Sequence, residues 1–168
     1  HIVAIFALAK AGLVRVPVNV HLKGASLDFV FDRFEPRAII ADRAYSEVLA
    51  PIVGRLPGLK VVWRGTDAPA DFAAIIDAAS PARPAVSVMA DDIIAITPSS
   101  GTTGEPKGVL KTDRSLRAGP MGTLALTGAR SGDVLLLWEP LHHGAGVAVL
   151  IAAVMEPLTL AMVEKFSA

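Results

Sequence analysis

The sequence predicts an α/β fold of largely parallel sheets with helices on both faces. Three observations carry this expectation. Short aliphatic or β-branched runs alternate with stretches of helical periodicity along the chain. The strand-like runs are continuously apolar, as in strands covered on both sides. Hydrophobic residues make up 52% of the 168 residues and charged residues 19%, with a mean hydropathy of +0.52, enough apolar material for a substantial core.

The elements follow in order. Ile2 to Ala11 reads as a buried helix ended by Gly12. Val14 to Val18 is a β-branched run interrupted by Pro17, which places it at or near a sheet edge. Ser26 is the expected N-cap of a helix on which Leu27, Val30, Phe31 and Phe34 share one face, and Pro36 stops that helix. Ala38 to Ala41 is a short strand. Tyr45, Val48, Leu49, Ile52, Val53 and Leu56 again follow helix spacing, Pro57-Gly58 ends the helix, and Lys60 to Trp63 forms the next strand. Strand, helix, strand in this order is the unit of a parallel sheet.

Gly65 to Ala70 reads as a loop. Phe72, Ile75, Ile76 and Ala79 form another helical stripe, and Ser80 to Ala90 is a Pro/Ala-rich connector. Ile93 to Ile96 is a strand, with Val109 to Lys111 as its hairpin partner. Thr112 or Asp113 caps a following helix, which Gly119-Pro120 is expected to bend or break. Val134 to Trp138 is a strand, His143 to Val154 a helix and Leu158 to Val163 a last strand.

Composition excludes several classes of function. Sixteen basic residues balance sixteen acidic ones, for a formal net charge of +0, so no electrostatic footprint for nucleic acid is present. The chain has no cysteine, which removes disulfides, thiolate metal sites and a cysteine nucleophile. A reducing compartment fits, and a cytoplasmic location is the expectation. The longest uncharged apolar run, Gly144 to Met155, falls short of the roughly 18 residues a bilayer span takes. The opening HIVAIFALAKAG lacks the basic n-region of a signal peptide. The chain starts at His1 and ends at Phe166, Ser167 and Ala168 without a helix stop signal. Residues 1–168 are therefore expected to be a piece of a longer protein.

The chemistry concentrates in ITPSSGTTGEPKGVL, residues 96 to 110. Gly101, Gly104 and Gly108 let backbone approach a ligand closely. Ser99, Ser100, Thr102 and Thr103 crowd hydroxyls into the same turn, and Lys107 adds one cation. Hydroxyls, backbone N–H groups and an ammonium suit a polyphosphate. The position after a buried strand suits a ligand site in an α/β sheet. The Walker A register is not met, since Lys107 precedes Gly108 and follows Pro106, and neither G-x-G-x-x-G nor G-x-S-x-G is present. A Gly/Ser/Thr surface turn between two strands is the plainer alternative. A serine hydrolase pairing Ser99 or Ser100 with His142 or His143 is another, but it needs a nucleophile elbow that the glycine pattern does not provide.

SSGTTGEPKGV closely resembles the phosphate-binding loop of the adenylate-forming superfamily: acyl- and aryl-CoA ligases, firefly luciferase and peptide-synthetase adenylation domains. Ser99, Ser100, Gly101, Thr102, Thr103, Gly104, Pro106, Lys107, Gly108 and Val109 all agree with it. Asp91-Asp92 before the strand also resembles the family. Pro98 stands where an aromatic residue is common, and Asp113 where histidine often follows. EPLHHGAG, Glu139 to Gly146, resembles the family's P-L-F-H-x-x-G, with His143 at the motif histidine and His142 at the aromatic position. ALAKAGLVRVPVNVHL and MEPLTLAMVEKFSA resemble the flanking segments. The general character resembles most nearly ligases of the crotonobetaine/carnitine-CoA type and fatty-acid ligases.

The resemblance implies a fold and a reaction. The chain would be part of the large N-terminal, AMP-binding domain. The parent enzyme would activate a carboxylic acid with ATP and Mg²⁺ to acyl-AMP and pyrophosphate, then transfer the acyl group to coenzyme A. Ser99, Ser100, Gly101, Thr102, Thr103, Gly104, Lys107 and Gly108 would hold the phosphates. His143 would orient the carboxylate beside the acyl pocket. The family's Tyr-Gly-x-Thr-Glu block with its metal-binding glutamate, its Tyr-x-Thr-Gly-Asp and its C-terminal catalytic lysine are not found in these residues. No metal ligand is therefore assigned, and a catalytically incomplete nucleotide-binding fragment is the alternative reading.

Overall fold

Strands pair two by two in the computed structural model, which describes residues 1–66, 71–99 and 107–163. Three two-stranded sheets are present among them. β1 (Ala38–Asp42) pairs with β2 (Lys60–Arg64) in parallel, from Ala38↔Lys60 to Asp42↔Arg64. β3 (Ile93–Pro98) pairs with β4 (Gly108–Thr112) antiparallel. β5 (Val134–Leu137) pairs with β6 (Thr159–Met162) in parallel. The helices are α1 (Ile2–Lys10), α2 (Ala25–Phe34), α3 (Ser46–Arg55), α4 (Phe72–Ala78), α5 (Asp113–Thr127) and α6 (Gly144–Met155).

The chain divides into two compact units, His1–Asn19 with Pro84–Ala168, and Val20–Arg83. In the second unit, α2 and α3 bury Leu27, Val30 and Phe31 and Leu49 and Ile52, the apolar positions of their helical spacing. Arg55 near the end of α3 reaches Asp28 at 2.9 Å and Asp32 at 2.6 Å on α2. Asp42 at the end of β1 accepts the N–H of Ala44, which starts a short 3-10 turn over Arg43–Tyr45, and pairs with Arg64 of β2. Asp71 is only 5% exposed and caps α4 by accepting from Ala73 N–H at 2.8 Å. It also takes the N–H and the hydroxyl of Thr66.

In the first unit the core gathers Ile5 of α1 with Val147 and Leu150 of α6. Phe6, Leu116 of α5, Leu141 and Leu160 of β6 pack around them. One face of the β5–β6 pair is turned to this core, with Leu137 4% exposed. Val134 and Leu136, pointing the other way, are 63% and 55% exposed. Gly12 ends α1 at φ +67, a left-handed conformation that suits glycine, and a Cβ there would stand 3.0 Å from Val86.

The structure departs from the sequence reading at three places. Ser26 is not an N-cap: α2 starts two residues earlier than such a cap would set it, at Ala25, with Gly24 in the cap position and no side-chain cap bond. The Val14 to Val18 run forms no ladder. Arg15 alone bridges Ala95 in parallel. Gly119-Pro120 does not break α5, which runs through to Thr127 and ends at Gly128 in the left-handed region. Pro120 is among the fully buried side chains, so its ring adds apolar burial that offsets the lost i→i−4 bond.

Candidate functional site

The motif Ser99 to Gly108 runs in the chain from the end of β3 to the first residue of β4. β3 is apolar because it enters the core, with Ala95 2% exposed. The ladder runs from Ile93↔Thr112 to Pro98↔Gly108, with an irregularity between Ile93 and Ala95. Beyond that last pair, Ser99 N–H donates to the Lys107 carbonyl at 2.7 Å. Lys107 N–H in return donates to Ser99 Oγ at 3.2 Å. Ser99 and Lys107 thus close the two ends of the loop on each other. Ser100, Gly101, Thr102, Thr103 and Gly104, with Glu105 and Pro106, lie outside the described residues.

The closing bonds leave the Lys107 side chain unused. They take its backbone N–H and C=O, and the residue is exposed. Among the described residues its ammonium makes no hydrogen bond or ion pair, so the side chain is left available to a ligand. Gly108 is the first residue of β4, so its place is architectural as well as motif-derived.

The base of the hairpin is fastened separately. Arg114 grips Asp91 in a two-pronged pair, Nε to Oδ1 at 2.7 Å and Nη2 to Oδ2 at 3.0 Å. The hydrogen bond from Arg114 holds the Asp91 carboxyl below its ordinary range, and the same bond raises the Arg114 guanidinium. Arg114 N–H donates to the Ala90 carbonyl at 3.0 Å, and Asp92 accepts from Met89 N–H at 2.8 Å. The Asp91-Asp92 pair is therefore structural, tying the start of β3 to the start of α5. Sequence reasoning missed Arg114. An arginine at the second position of a helix after a hairpin that opens with two aspartates is the signal that was available.

α5 begins where β4 ends. Thr112 and Ser115 cap it reciprocally: Ser115 N–H donates to Thr112 Oγ1 at 3.1 Å and Thr112 N–H to Ser115 Oγ at 2.9 Å. Of the two expected caps, Thr112 is therefore the one used, and Asp113 is the first helical residue, where its charge favours the helix N-terminus. α5 packs along α6 through Leu116.

His143 stands in the N-cap position of α6 with extended backbone (φ −90°, ψ 149°) and no side-chain cap bond. Its N–H donates to the Pro140 carbonyl at 2.9 Å. The backbone makes the turn, and the imidazole is exposed and not spent on capping. The rings of His142 and His143 lie 4.6 Å apart at 45°. Gly146 explains the last position of its motif. A Cβ there would stand 2.6 Å from the Pro140 carbonyl oxygen and 2.7 Å from that of Glu139. α6 therefore starts pressed against the turn that carries the two histidines.

The described structure places both motifs in the same compact unit, joined by β4, α5 and α6. No group of three or more His, Asp or Glu that could hold a metal ion occurs among the described residues. No helix there is long and apolar enough to cross a membrane.

Comparison with known proteins agrees with this layout. The family model described as AMP-binding enzyme matches residues 1–168. The chain is 30% identical over 169 residues to the long-chain-fatty-acid–CoA ligase FadD13 of Mycobacterium tuberculosis, covering 97% of this chain and 32% of that protein. It is 29% identical over 170 residues to the human mitochondrial malonate–CoA ligase ACSF3, covering 99% of this chain and 28% of that one. It superimposes on the inhibitor-bound N-terminal domain of FACL13 from M. tuberculosis with a TM-score of 0.85 at 28% identity, over 97% of this chain and 41% of that one. A long-chain-fatty-acid–CoA ligase from Archaeoglobus fulgidus shares the fold with a TM-score of 0.88 at 23% identity, over 99% of this chain and 33% of that one. The chain thus spans about a third of the length of the curated relatives it matches. With the family model matched from end to end, the chain belongs to the AMP-binding enzyme family.

Proposed function

We propose that residues 1–168 are part of the N-terminal domain of an AMP-forming acid–thiol ligase, an acyl-CoA synthetase. It joins a small-molecule carboxylic acid to coenzyme A at the expense of ATP. The observation that carries this reading is the loop closed at Ser99 and Lys107, which leaves the Lys107 ammonium unspent at its mouth. The reaction has two steps. A carboxylate oxygen attacks the α-phosphorus of ATP, the bond to the β-phosphate oxygen breaks, and acyl-AMP and pyrophosphate form. The thiol of coenzyme A then attacks the acyl carbon and AMP leaves.

The loop's share is in the first step. Ser99, Ser100, Gly101, Thr102, Thr103, Gly104, Lys107 and Gly108 hold the β- and γ-phosphates while negative charge builds on the departing pyrophosphate. Such stabilisation depends on donors already in place. His143, exposed at the start of α6, orients the incoming carboxylate. Mg²⁺ belongs in our reading to the nucleotide phosphates rather than to a protein cage, in keeping with how that ion is commonly held. We place the activity in the cytoplasm, consistent with a chain free of cysteine. The acids in the names of the relatives range from malonate to long-chain fatty acids, so no particular acid is assigned.

Lys107→Ala in the complete parent enzyme tests the reading. The clamp uses only the backbone of Lys107, so folding is expected to be unaffected. Loss of a charged hydrogen-bond donor costs about 1.5–3 kcal/mol. Acid-dependent pyrophosphate release at saturating ATP is then expected to fall at least about tenfold. An unchanged rate would remove Lys107 from the site. Irreversible labelling of the wild-type enzyme by a fluorophosphonate would favour a serine hydrolase instead.

A further inference from the structure

Arg15 lies on the segment after α1. Its N–H donates to the Ile94 carbonyl at 3.0 Å, and its carbonyl accepts from Ile96 N–H at 2.8 Å. These bonds set it opposite Ala95 in a parallel bridge. Bridge partners point to the same side of a sheet, and Ala95 is 2% exposed. Arg15 is therefore directed inward, and the small Ala95 beside it leaves room for a long side chain.

The Nη1 of Arg15 is buried and has no hydrogen-bond partner. No other buried side-chain nitrogen or oxygen among the described residues is in that condition. Loss of water around the group lowers the guanidinium from its ordinary value, yet an arginine in a protein keeps its charge. The result is a cation partly stripped of water with no anion beside it among the described residues. An apolar side chain of similar volume would be the better choice for such a place unless a counter-ion arrives.

We propose that Arg15 is one half of a buried ion pair, completed by an aspartate or glutamate from the part of the parent enzyme outside these 168 residues. The inference rests on reading the chain as part of a larger ligase, since it covers 32% of the FadD13 relative. A carboxylate is the partner because its two oxygens match the planar donor fork of a guanidinium. In this role Arg15 is a positioning residue. It fastens the remaining chain to the strand that leads into the phosphate loop.

The test uses the complete parent enzyme, with Arg15→Met and Arg15→Lys compared by urea unfolding. Methionine keeps the apolar stem and removes the charge, whereas lysine keeps the charge and loses the fork. If the pair exists, Arg15→Met leaves a buried carboxylate uncompensated and raises the unfolding equilibrium constant at least about tenfold. Arg15→Lys raises it less. If no carboxylate is there, Arg15→Met is as stable as wild type or more so, and it exceeds Arg15→Lys. Either result overturns the proposal. Should Arg15→Met not fold, a crystal structure of the wild-type enzyme decides. A carboxylate oxygen from outside residues 1–168 within about 4 Å of Nη1 supports the pair, and a water, a backbone carbonyl or a carboxylate of residues 1–168 in that place overturns it. Failure of the functional reading registers separately, as absence of acid-dependent ATP–pyrophosphate exchange in the wild-type enzyme.

Discussion

Alanine at position 146 puts two opposed effects into one experiment. In a helix alanine is favoured over glycine by about 1 kcal/mol, so by propensity alone Gly146→Ala stabilises α6. The structure predicts the reverse. The new methyl would meet the Pro140 oxygen at 2.6 Å and the Glu139 oxygen at 2.7 Å. Both obstacles are backbone, so no rotamer change relieves them. The turn or the helix must move, and the His143 N–H bond to Pro140 moves with it. Overpacking of this kind typically costs about 1–3 kcal/mol. Gly144 is the internal control, because a Cβ there meets nothing within 4 Å. The prediction is a Gly146→Ala protein about 1–3 kcal/mol less stable than Gly144→Ala, read as the difference between their urea midpoints at a common slope. Equal midpoints, or a more stable Gly146→Ala, would show that α6 does not press on the Glu139–His143 turn.

Three further outcomes are expected. His143→Ala raises the apparent KM for the acid, lowers kcat, or both, because its exposed ring makes no cap bond that would give it a folding role; a change confined to the KM for ATP would move His143 to the nucleotide site. Acidification destabilises the fold partly through Asp71, whose carboxyl is held below its ordinary range first by the Ala73 N–H and then by the Thr66 N–H. Its contribution is fully present above the unfolded value of about 3.9 and is lost as pH falls through the lower folded value, so urea midpoints of wild type should drop more steeply below about pH 4 than those of Asp71→Asn. Residues 1–168 expressed alone should show no useful acid-dependent ATP–pyrophosphate exchange and should aggregate, since Val134, Leu136 and Met162 are each more than half exposed; exchange comparable to the parent enzyme would mean that the absent family motifs are dispensable.

Much of the fold was legible because periodicity reports burial. The runs Ala38–Ala41, Lys60–Trp63 and Leu158–Val163 became strands within a residue or two at each end. The stripe Leu27, Val30, Phe31 became the buried face of α2. What failed depends on tertiary context. Pro120 reads as a helix breaker, and only its complete burial explains why α5 continues past it. Val14 to Val18 has strand composition, yet pairing is a property of two strands, and only Arg15 finds a neighbour. In the site, the motifs pointed to Ser99, Lys107 and His143, and the structure sets Ser99 and Lys107 at the two ends of the loop and His143 at the start of α6. They could not distinguish the part of Lys107 that closes the loop from the part that stays unbonded among the described residues, because that division lies in which of its atoms are bonded.

That division also separates architecture from chemistry in mutagenesis. At Ser99 the hydroxyl itself is one of the two bonds that close the loop, so Ser99→Ala alters loop and ligand contacts together and its kinetics cannot be assigned to either. At Lys107 the closing bonds are backbone, and the side chain can be removed with the clamp intact. The same logic holds at the second motif, where Gly146 and the backbone of His143 build the turn while the imidazole stays exposed. Between them run β4, the Thr112–Ser115 cap and α5, whose Leu116 joins Val147 and Leu150 of α6 in the core. A packed path of this kind fixes two exposed side chains on one rigid frame. The adenylation we propose would need that of its phosphate and carboxylate holders, since misplacement by about 1 Å can cost about 100-fold in rate.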